Sequence, residues 1–550
     1  MRRLIPASLI LSLLIGLLAG CARPPRQAGT LRLAGTEPST LDPAKAYDTT
    51  SIGFVRVLYR GLVDYDDAGN MVNVVAAERK ASPDGKTYSF RLRSDVRFHS
   101  GRRVVADDFR YAIERVLDPA TASDGLAIFK VIDGAAEFIA DREAAIAKKH
   151  PPRLKHVRGI RVNGDDEISF TLVKPDATFL NYLALPFGYA VPRDYVEALA
   201  RKGQSLSEHA NGCGPFILQD WVHDGWLHLR KNPNYFEPAL PKCERIEMTI
   251  GVSPTLQIML FDQGHIDLLA LEDVASPDYL RLKQDPQWQP YMMHAPMMDI
   301  RYVCLNTELK PFDNVLVRRA MNYAVNRDRI AAMLARRVTL ARGPLPPGMP
   351  GYNPQLPQYA YNPEKARQLL KQAGYENGFP MDVTLWYATT LPWYEKAAQS
   401  IKEDLKAVGV NINLKATTYP ELKTAAGKRR NVQMCIIGWI QDFLDPSNFL
   451  DVLLNGRNIT DTASNNRAFY SNPQVNTLLD RAAVDLDKPR RLKLYREAEK
   501  LIVADAPWVF LHHTERYVIR QPWITGYKLH PMWSSRYEYV GVTERTKDGR

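Results

Sequence analysis

The chain has 550 residues, of which 45% are hydrophobic and 24% charged, a composition that is typical of globular proteins and excludes disordered, collagen-like and polytopic membrane proteins. At roughly 150 residues per domain, this length predicts three or four domains or two large lobes. The 72 basic and 61 acidic residues leave a formal charge of +11, but the basic clusters are short and no basic run alternates with aromatic residues, so we expect no nucleic-acid partner.

The N-terminal segment predicts export from the cytoplasm. Two arginines precede an apolar run, Leu4–Gly20, which is shorter than a typical membrane-spanning helix. The run ends in Leu18-Ala19-Gly20-Cys21, which resembles a bacterial lipobox, where a cysteine thiol accepts a lipid before cleavage. We therefore expect a signal peptide at 1–20, a lipid on Cys21, and a tether at 21–29 that holds the protein in the periplasm or outside the cytoplasmic membrane. The alternative is an ordinary signal peptide followed by a chance cysteine.

The next segments predict a compact unit at 53–172. Thr87–Leu92 alternates polar and apolar residues as a half-buried strand does, and Glu167–Leu172 repeats the pattern. Between these strands a helix opens at Asp107, and a charged, alanine-rich helix occupies 135–150.

Beyond residue 172, helices and strands alternate, which is the pattern of α/β lobes. The predicted strands lie at about 214–216, 226–229, 245–250, 302–306, 381–387, 410–416 and 433–439, and the predicted helices at about 314–336, 363–373, 393–408 and 473–505. The aromatic, strand-rich stretch 508–540 is expected to return to the first lobe.

Four cysteines remain after Cys21, and their spacing does not fit a zinc site. They are Cys213, Cys243, Cys304 and Cys435. An extracytoplasmic compartment permits disulfides, and Cys213 with Cys243 is the favoured pair because the two flank one hairpin-like stretch. Buried free thiols are an equal alternative.

Catalytic signatures such as a Gly-x-Ser-x-Gly elbow, a His-Glu-x-x-His pair or a Walker loop are absent from the sequence, so nothing in it points to an enzyme, and we expect no cofactor and no metal site. His512 and His513 are adjacent on a predicted strand and therefore face opposite sides, which predicts one packed and one exposed side chain. A secreted hydrolase whose catalytic groups meet from distant segments stays open as an alternative.

Ten segments, taken in order, resemble the extracytoplasmic solute-binding proteins of ABC importers, in the large family that takes up oligopeptides, dipeptides and nickel complexes. The segments are Gly35–Pro43, Leu58–Leu62, Ser82–Tyr88, Val96–Gly101, Asp107–Phe109, Asn211–Phe216, Asn306–Thr307, Pro311–Ala320, Tyr361–Arg367 and Gly438–Pro446. Each segment alone is a weak signal, whereas the ordered set is highly specific and spans residues 31 to 540.

The resemblance implies an α/β fold of the periplasmic-binding-protein type, a two-lobed clamp with an additional small domain. Lobe I would be discontinuous, at 30–52, 173–300 and 506–550, and lobe II would occupy 301–505. The small domain would be the compact unit at 53–172, and connections near 300 and 505 would form the hinge.

The same resemblance implies where a guest binds. In oligopeptide binders an extended peptide is held as an added strand, and here the strand edges would be Glu37 to Leu41, which includes Ser39, and Gly438 to Ile440. Gly438 would permit close backbone approach, and Trp439 would form a stiff wall. Tyr47, which follows the first of these edges, is a further candidate for the site.

Asp442 matches the aspartate that pairs with the α-ammonium group of a peptide in that subfamily. The alternative role for Asp442 is a helix cap, because Asp445-Pro446 follows it. The chain departs from the family where some members carry an arginine shortly before the Gly-Trp pair to meet the guest carboxylate. This chain has apolar residues there, and Arg342, Arg336 and His294 are unranked candidates for that role.

The partners implied by the resemblance are an oligopeptide ligand, the permease subunits of an ABC transporter and a membrane reached through the lipid on Cys21, with the protein itself a monomer. A non-peptide guest, such as a nickel chelate or a murein fragment, is the alternative within the family. A histidine cluster in the cleft would indicate nickel, and the sequence shows none.

Overall fold

The computed structural model of the chain describes residues 28–533 and 536–543, so the predicted signal peptide and the lipid site at Cys21 lie outside the described residues. The strands are β1 (Thr30–Gly35), β2 (Val63–Tyr65), β3 (Met71–Asn73), β4 (Ala76–Ala81), β5 (Thr87–Leu92), β6 (Ile160–Asn163), β7 (Glu167–Thr171), β8 (Phe216–Val222), β9 (Trp226–Lys231), β10 (Arg245–Ile250), β11 (Leu268–Ala270), β12 (Met292–Pro296), β13 (Asp299–Leu305), β14 (Val338–Leu340), β15 (Thr384–Ala388), β16 (Asn413–Thr417), β17 (Met434–Ile440), β18 (Trp508–Arg520), β19 (Ile524–Thr525) and β20 (Gly541–Val542).

The α-helices lie between these strands along the chain. They are α1 (Thr49–Leu58), α2 (Ala106–Leu117), α3 (Leu126–Phe129), α4 (Ala135–Lys148), α5 (Phe179–Leu183), α6 (Arg193–Arg201), α7 (Pro254–Asp262), α8 (Ser276–Gln284), α9 (Val315–Ala324), α10 (Arg327–Met333), α11 (Pro363–Gln372), α12 (Pro392–Lys406), α13 (Tyr419–Ala426), α14 (Ser447–Leu454), α15 (Pro473–Val484) and α16 (Lys488–Asp505). Several of them, such as α6 to α8, were not predicted from the sequence. None of the helices that the structure describes is both long and apolar enough to span a bilayer.

Three larger sheets organise the described residues. One has the order β1-β10-β9-β8, with β1 parallel to β10. Another, β4-β5-β7-β6, lies within the segment predicted as the small domain. The largest has the order β11-β18-β13-β17-β15-β16, and β12 and β14 also pair with β18.

Strand β18 runs through two parts of the molecule. Its first half pairs with β13 and β14, and its second half pairs with β12 and β11. Because β12 and β13 are consecutive, two chain segments pass side by side between these parts, at 297–298 and at 513–515. The predicted boundary at residue 506 assigns Val509 and Phe510 to lobe I and β13 to lobe II. In the structure Val509 and Phe510 pair with residues of β13, so the first half of β18 belongs to the same sheet as β13.

Two predicted helices are each split in the structure by a side chain that caps a new helix. The helix predicted at 314–336 breaks before α10, where the side chain of Asn326 accepts a hydrogen bond from the amide of Arg329 at 3.0 Å. The helix predicted at 473–505 breaks before α16, where Asp487 accepts from the amide of Arg490 at 2.8 Å. Asparagine and aspartate satisfy the free amides of a first turn and so favour a new start over a continuous helix.

The four described cysteines are free and buried, which favours the thiol alternative over a Cys213–Cys243 bridge. The prediction of one exposed histidine in the His512–His513 pair is wrong, since both side chains are buried. Strand β18 lies inside the large sheet and is covered on both faces: the ring of His512 lies 5.1 Å from that of Trp393, and Nδ1 of His513 lies 2.6 Å from the carbonyl oxygen of Asp299.

Glu499 is a buried carboxyl group in α16 that lies outside any ion pair in the described part of the chain. One oxygen accepts a hydrogen bond from the amide of Leu345 at 3.1 Å, and the other has no partner among the described residues. Burial raises the pKa of Glu499 from 4.5 to about 8, although the bond from Leu345 lowers it in part. The folded state therefore favours the protonated form, and the stability that this group contributes is complete below pH 4.5 and is lost as the pH rises through about 8.

We predict that Glu499→Gln raises the free energy of unfolding by about 1–3 kcal/mol at pH 8 to 9 and changes it little below pH 4.5, because glutamine never ionises and still accepts the bond from Leu345. Urea unfolding at several pH values measures this. Glu497→Gln, an exposed site on the same helix, is the matched control and should be neutral throughout. A pH-independent effect of Glu499→Gln would contradict the prediction.

Candidate functional site

A cavity of about 350 Å³ lies where the two strand runs pass between the parts of the molecule; we call it the central cavity. Its walls come from segments that are far apart in sequence. They are the residues around the start of α1 (46–56), the turn at 185–187, the passage at 295–298, the end of β17 with the residues after it (438–442) and the stretch 529–533, together with single residues that include Arg301, Tyr419, Lys423, Arg467 and Arg516.

Five of the seven residues predicted for ligand binding line the central cavity, namely Tyr47, Gly438, Trp439, Ile440 and Asp442. Glu37 and Ser39 are not among the residues that line it. Glu37 instead accepts hydrogen bonds from Trp221 Nε1 at 2.8 Å and lies 2.7 Å from Nδ1 of His223.

The segment around Ser39 is also not an open strand edge. The amides of Ser39 and Thr40 both donate to the Ser51 hydroxyl, at 2.9 and 3.2 Å, and the amide of Leu41 donates to the carbonyl of Ser207 at 2.9 Å. The Ser39 hydroxyl donates to Asp48 at 2.6 Å. Because these donors are already used within the protein, the edge expected from Glu37 to Leu41 has no free amides at these three positions.

Strand β17, in contrast, offers a free edge at the central cavity. It pairs with β13 along its whole length, from Met434 to Ile440. On its other side β15 pairs only with Met434 and Cys435, so no described strand covers that edge of 437–440. The backbone groups of this edge can therefore bind an added strand.

Gly438 is required by its neighbour across the sheet. It lies opposite Arg301 in the antiparallel register, and the Arg301 side chain crosses over it. A Cβ atom on residue 438 would lie 2.9 Å from the carbonyl oxygen of Ile300 and 2.7 Å from Cδ of Arg301. The sequence predicts a close approach to the backbone at this glycine, and the group that approaches is the neighbouring strand β13, at Ile300 and Arg301.

Asn448, which the sequence analysis missed, holds both Trp439 and Asp442. It is fully buried in α14, and its Oδ1 accepts from Trp439 Nε1 at 3.0 Å and from the amide of Asp442 at 2.9 Å. Its Nδ2 donates to the carboxylate of Asp442 at 3.1 Å. One amide side chain therefore fixes the indole ring and the carboxylate relative to each other, and only its position two residues after Asp445-Pro446 could have pointed to it.

The carboxylate of Asp442 faces the cavity and is bridged to the opposite wall. The hydroxyl of Tyr47, which is 41% exposed, donates to Oδ1 of Asp442 at 3.1 Å. Burial raises the pKa of Asp442 above the ordinary aspartate value, and the bonds from Asn448 and Tyr47 offset part of that effect. Asp442 does not cap α14, because the N-cap residue of that helix is Pro446 and the amide of Ser447 donates to Asp445 at 3.0 Å.

The three cations predicted as candidates for a carboxylate anchor do not line the central cavity. Arg342 donates to the carbonyl of Leu356 at 3.1 Å, Arg336 is exposed, and the ring of His294 stacks on Tyr517. The arginines that do line it are Arg56, Arg301, Arg467 and Arg516.

His530 is the histidine that lines the cavity in the described part of the chain, and both of its ring nitrogens are engaged. Nε2 lies 2.8 Å from the carbonyl oxygen of Asp66, and Nδ1 accepts from the amides of Met532 and Trp533 at 3.0 Å. Burial lowers the pKa of His530, which suits its role as a neutral acceptor. The described residues hold no group of three or more side chains that could bind a metal ion.

Comparison with known proteins gives consistent matches over nearly the whole chain. The family described as bacterial extracellular solute-binding proteins, family 5 Middle, matches residues 70–461. Heme-binding protein A of Haemophilus influenzae is 30% identical over 522 residues, which cover 92% of this chain and 90% of that protein. The glutathione-binding protein GsiB of Pectobacterium atrosepticum is 30% identical over 516 residues, which cover 93% of each.

Solved structures resemble this one at similar coverage. The ABC transporter-associated periplasmic binding protein DppA from Helicobacter pylori, in complex with the peptide STSA, has a TM-score of 0.75 at 26% identity and covers 94% of this chain and 99% of its own. HbpA2 from Haemophilus parasuis has a TM-score of 0.78 at 25% identity and covers 94% of this chain and 100% of its own. The α/β, two-lobed fold expected from the sequence is confirmed by these matches.

We predict that Gly438→Ala lowers the free energy of unfolding by about 1–3 kcal/mol, because its Cβ would overlap the Ile300 carbonyl in a strand that cannot shift. Gly53→Ala in α1 is the matched control, since a Cβ there meets nothing within 4 Å. That change should be neutral or stabilise the helix by up to about 1 kcal/mol. Equal urea midpoints for the two variants would contradict the close packing of Arg301 over Gly438.

Proposed function

Because the chain belongs to family 5 of the bacterial extracellular solute-binding proteins, we propose that it captures short, extended peptides in the central cavity and delivers them to the membrane permease of an ABC importer. The observation that carries this proposal is the free edge of β17 at 438–440, which opens into the cavity beside the carboxylate of Asp442. An added peptide strand would bond to the edge through its amides, and its α-ammonium group would pair with Asp442.

Two of the reported relatives support a peptide guest, whereas the Haemophilus influenzae relative is described as heme-binding. The Helicobacter pylori protein is described in complex with the peptide STSA, and the Pectobacterium atrosepticum relative is described as glutathione-binding. Binding through backbone amides tolerates many side chains, which suits an importer of mixed peptides. Trp439, held by Asn448, would form a rigid wall for one guest side chain.

Haem and nickel chelates are less well supported as guests. Haem-type or nickel-type coordination would need a free imidazole or a ligand cluster in the cavity. The ring nitrogens of His530 are both engaged by the backbone, and the described residues form no metal-binding group. Peptide recognition uses groups that the cavity presents without rearrangement.

The family binds solutes and is not a catalytic one, so the guest should leave chemically unchanged. Incubation of the protein with a mixture of tripeptides, followed by mass spectrometry of the bound and free fractions, tests this directly. Recovery of intact peptides supports capture, whereas cleaved peptides would support the hydrolase alternative.

Closure of two lobes around the guest would use the two segments that pass between them. The paired passages at 297–298 and 513–515 support a hinge at this position, with β13, β17, β15 and β16 on one side and β11, β12 and the second half of β18 on the other. The predicted small domain at 53–172 would stay attached to the first lobe, and a monomer would suffice for this cycle.

We predict that Asp442→Asn weakens binding of a tripeptide with a free amino end by about 100-fold or more, because loss of one partner of a buried charge pair costs about 3–5 kcal/mol. The same peptide with an acetylated amino end should bind the variant and the wild type with similar affinity. Isothermal titration calorimetry measures both peptides.

Asp451→Asn is the matched control for this change, since Asp451 stands in α14 outside the cavity and bonds to Asn455 at 2.8 Å. It should leave both affinities unchanged. An equal loss for the free and the acetylated peptide in Asp442→Asn would reject the ammonium role of Asp442.

We predict that Cys21→Ser leaves the protein folded but releases it from membranes, because a serine hydroxyl does not accept the lipid that the lipobox-like segment predicts. Fractionation of cells into membrane and soluble pools, with detection of the full chain, measures this. Retention of the variant in the membrane pool would contradict lipid anchoring at residue 21.

A further inference from the structure

Arg467 is a buried guanidinium group that faces the central cavity without an acidic partner among the described residues. The residue is 6% exposed and lines the cavity. Its one hydrogen bond to a described residue, from Nη2 to Oδ1 of Asn465, is long at 3.5 Å, and its Nε has no partner there. A buried positive charge without an acidic partner can be stabilised by a negatively charged group of a ligand.

The other cavity arginines differ from Arg467 because each already has a carboxylate. The pairs are Arg56 with Asp64 at 2.6 Å, Arg301 with Asp299 at 3.3 Å, and Arg516 with Glu272 at 2.7 Å. Their charges are thus balanced within the protein. Lys423 also lines the cavity but is exposed, so among the described residues the buried cation at the cavity without a carboxylate is Arg467.

The loop that carries Arg467 is fixed from both sides. The side chain of Asn466 bonds to the carbonyl and the amide of Tyr470, at 2.8 and 3.1 Å. The amide of Thr307 donates to the carbonyl of Ala468 at 2.8 Å, and its hydroxyl donates to that of Phe469 at 3.0 Å. Because the backbone on each side of residue 467 is held, the guanidinium group needs little ordering when a ligand arrives.

A guanidinium group stays ionised in proteins, and a buried ion without a counter-charge is unfavourable. A carboxylate satisfies it best, because two oxygens match two N–H groups of the planar fork. Arg467 and Asp442 line one cavity of about 350 Å³, which is at the low end of the range for small-molecule sites. A guest of a few residues can therefore meet both groups at once.

We propose that Arg467 receives a carboxylate of the guest, so that the cavity selects short peptides with both an ammonium group for Asp442 and a carboxylate for Arg467. This inference rests on the proposed function and deepens it, since it names the second charged anchor and limits the length of the guest. The carboxylate is either the carboxyl end of the peptide or an acidic side chain.

The test uses the full chain and three mixtures of tripeptides with free amino ends. The first mixture has free carboxyl ends and no acidic residues, the second has amidated ends and no acidic residues, and the third has amidated ends and one glutamate. Binding of each mixture is measured for the wild type, Arg467→Gln, Arg467→Lys and Arg457→Gln. Arg457, paired with Asp480 outside the cavity, is the matched control.

We expect Arg467→Gln to lower the affinity for a carboxylate-bearing mixture about 10- to 100-fold, with the second mixture little changed. Loss confined to the first mixture identifies the carboxyl end as the group bound, and loss confined to the third identifies the side chain. Arg467→Lys, which keeps the charge but not the fork, should lose less, and Arg457→Gln should bind as the wild type does. The thermal midpoint of Arg467→Gln without peptide should equal or exceed that of the wild type, because the change removes an unbalanced buried charge.

Equal affinities of the wild type and Arg467→Gln for all three mixtures would overturn the anchor while peptide binding stands, and so would an equal loss for all three. If Arg467→Gln does not fold, the test uses Arg467→Lys instead. The proposal would then be overturned if Arg467→Lys bound the first and third mixtures as tightly as the wild type does. A wild type that retains none of the mixtures would overturn the proposed function and this inference together.

Discussion

The passage of two strand runs side by side at Asp299 is the constraint on which the rest of the structure depends. The buried carboxylate of Asp299 accepts from the amide and the hydroxyl of Thr514, at 2.8 and 2.7 Å, and its carbonyl is bonded to His513. These bonds join the junction between β12 and β13 to the middle of β18. At this point β18 changes from pairing with β13 to pairing with β12. The parts of these strands that line the cavity, at 295–298, Arg301 and Arg516, therefore have fixed positions.

Strand β17 extends this constraint to the binding edge. It pairs with β13 along its full length, whereas on its other edge only its first two residues pair with β15. Gly438 allows the side chain of Arg301 to cross the strand, and Asn448 orients Trp439 and Asp442 at its end. A rigid strand with one open edge is a surface that can add a peptide with little rearrangement.

The charges at the cavity divide into balanced and unbalanced groups. Three of its arginines are paired with carboxylates of the protein, so they shape the walls without demanding a counter-charge from the guest. Asp442 and Arg467 form no ion pair with any residue that the structure describes, and they suit the two ends of a zwitterion. Main-chain bonds would supply affinity for any peptide, and these two charges would select its length and ends.

The sequence by itself determined what depends on local pattern and on ordered motifs. Between 363 and 439 it predicted helices close to α11 and α12 and strands close to β15, β16 and β17, but not α13. It also predicted the two-lobed α/β family and placed Gly438 and Asp442 at a binding cleft, because alternation, capping and motif order depend on neighbouring residues. Only the tertiary structure decided that Glu37 and Ser39 do not line the cavity and that His512 and His513 are both buried. It also decided that Asn448 holds Trp439 and Asp442 in place and that Arg467 lines the cavity. The physical reason is that the partners of these side chains come from segments far away in the chain, which no periodicity along the sequence records.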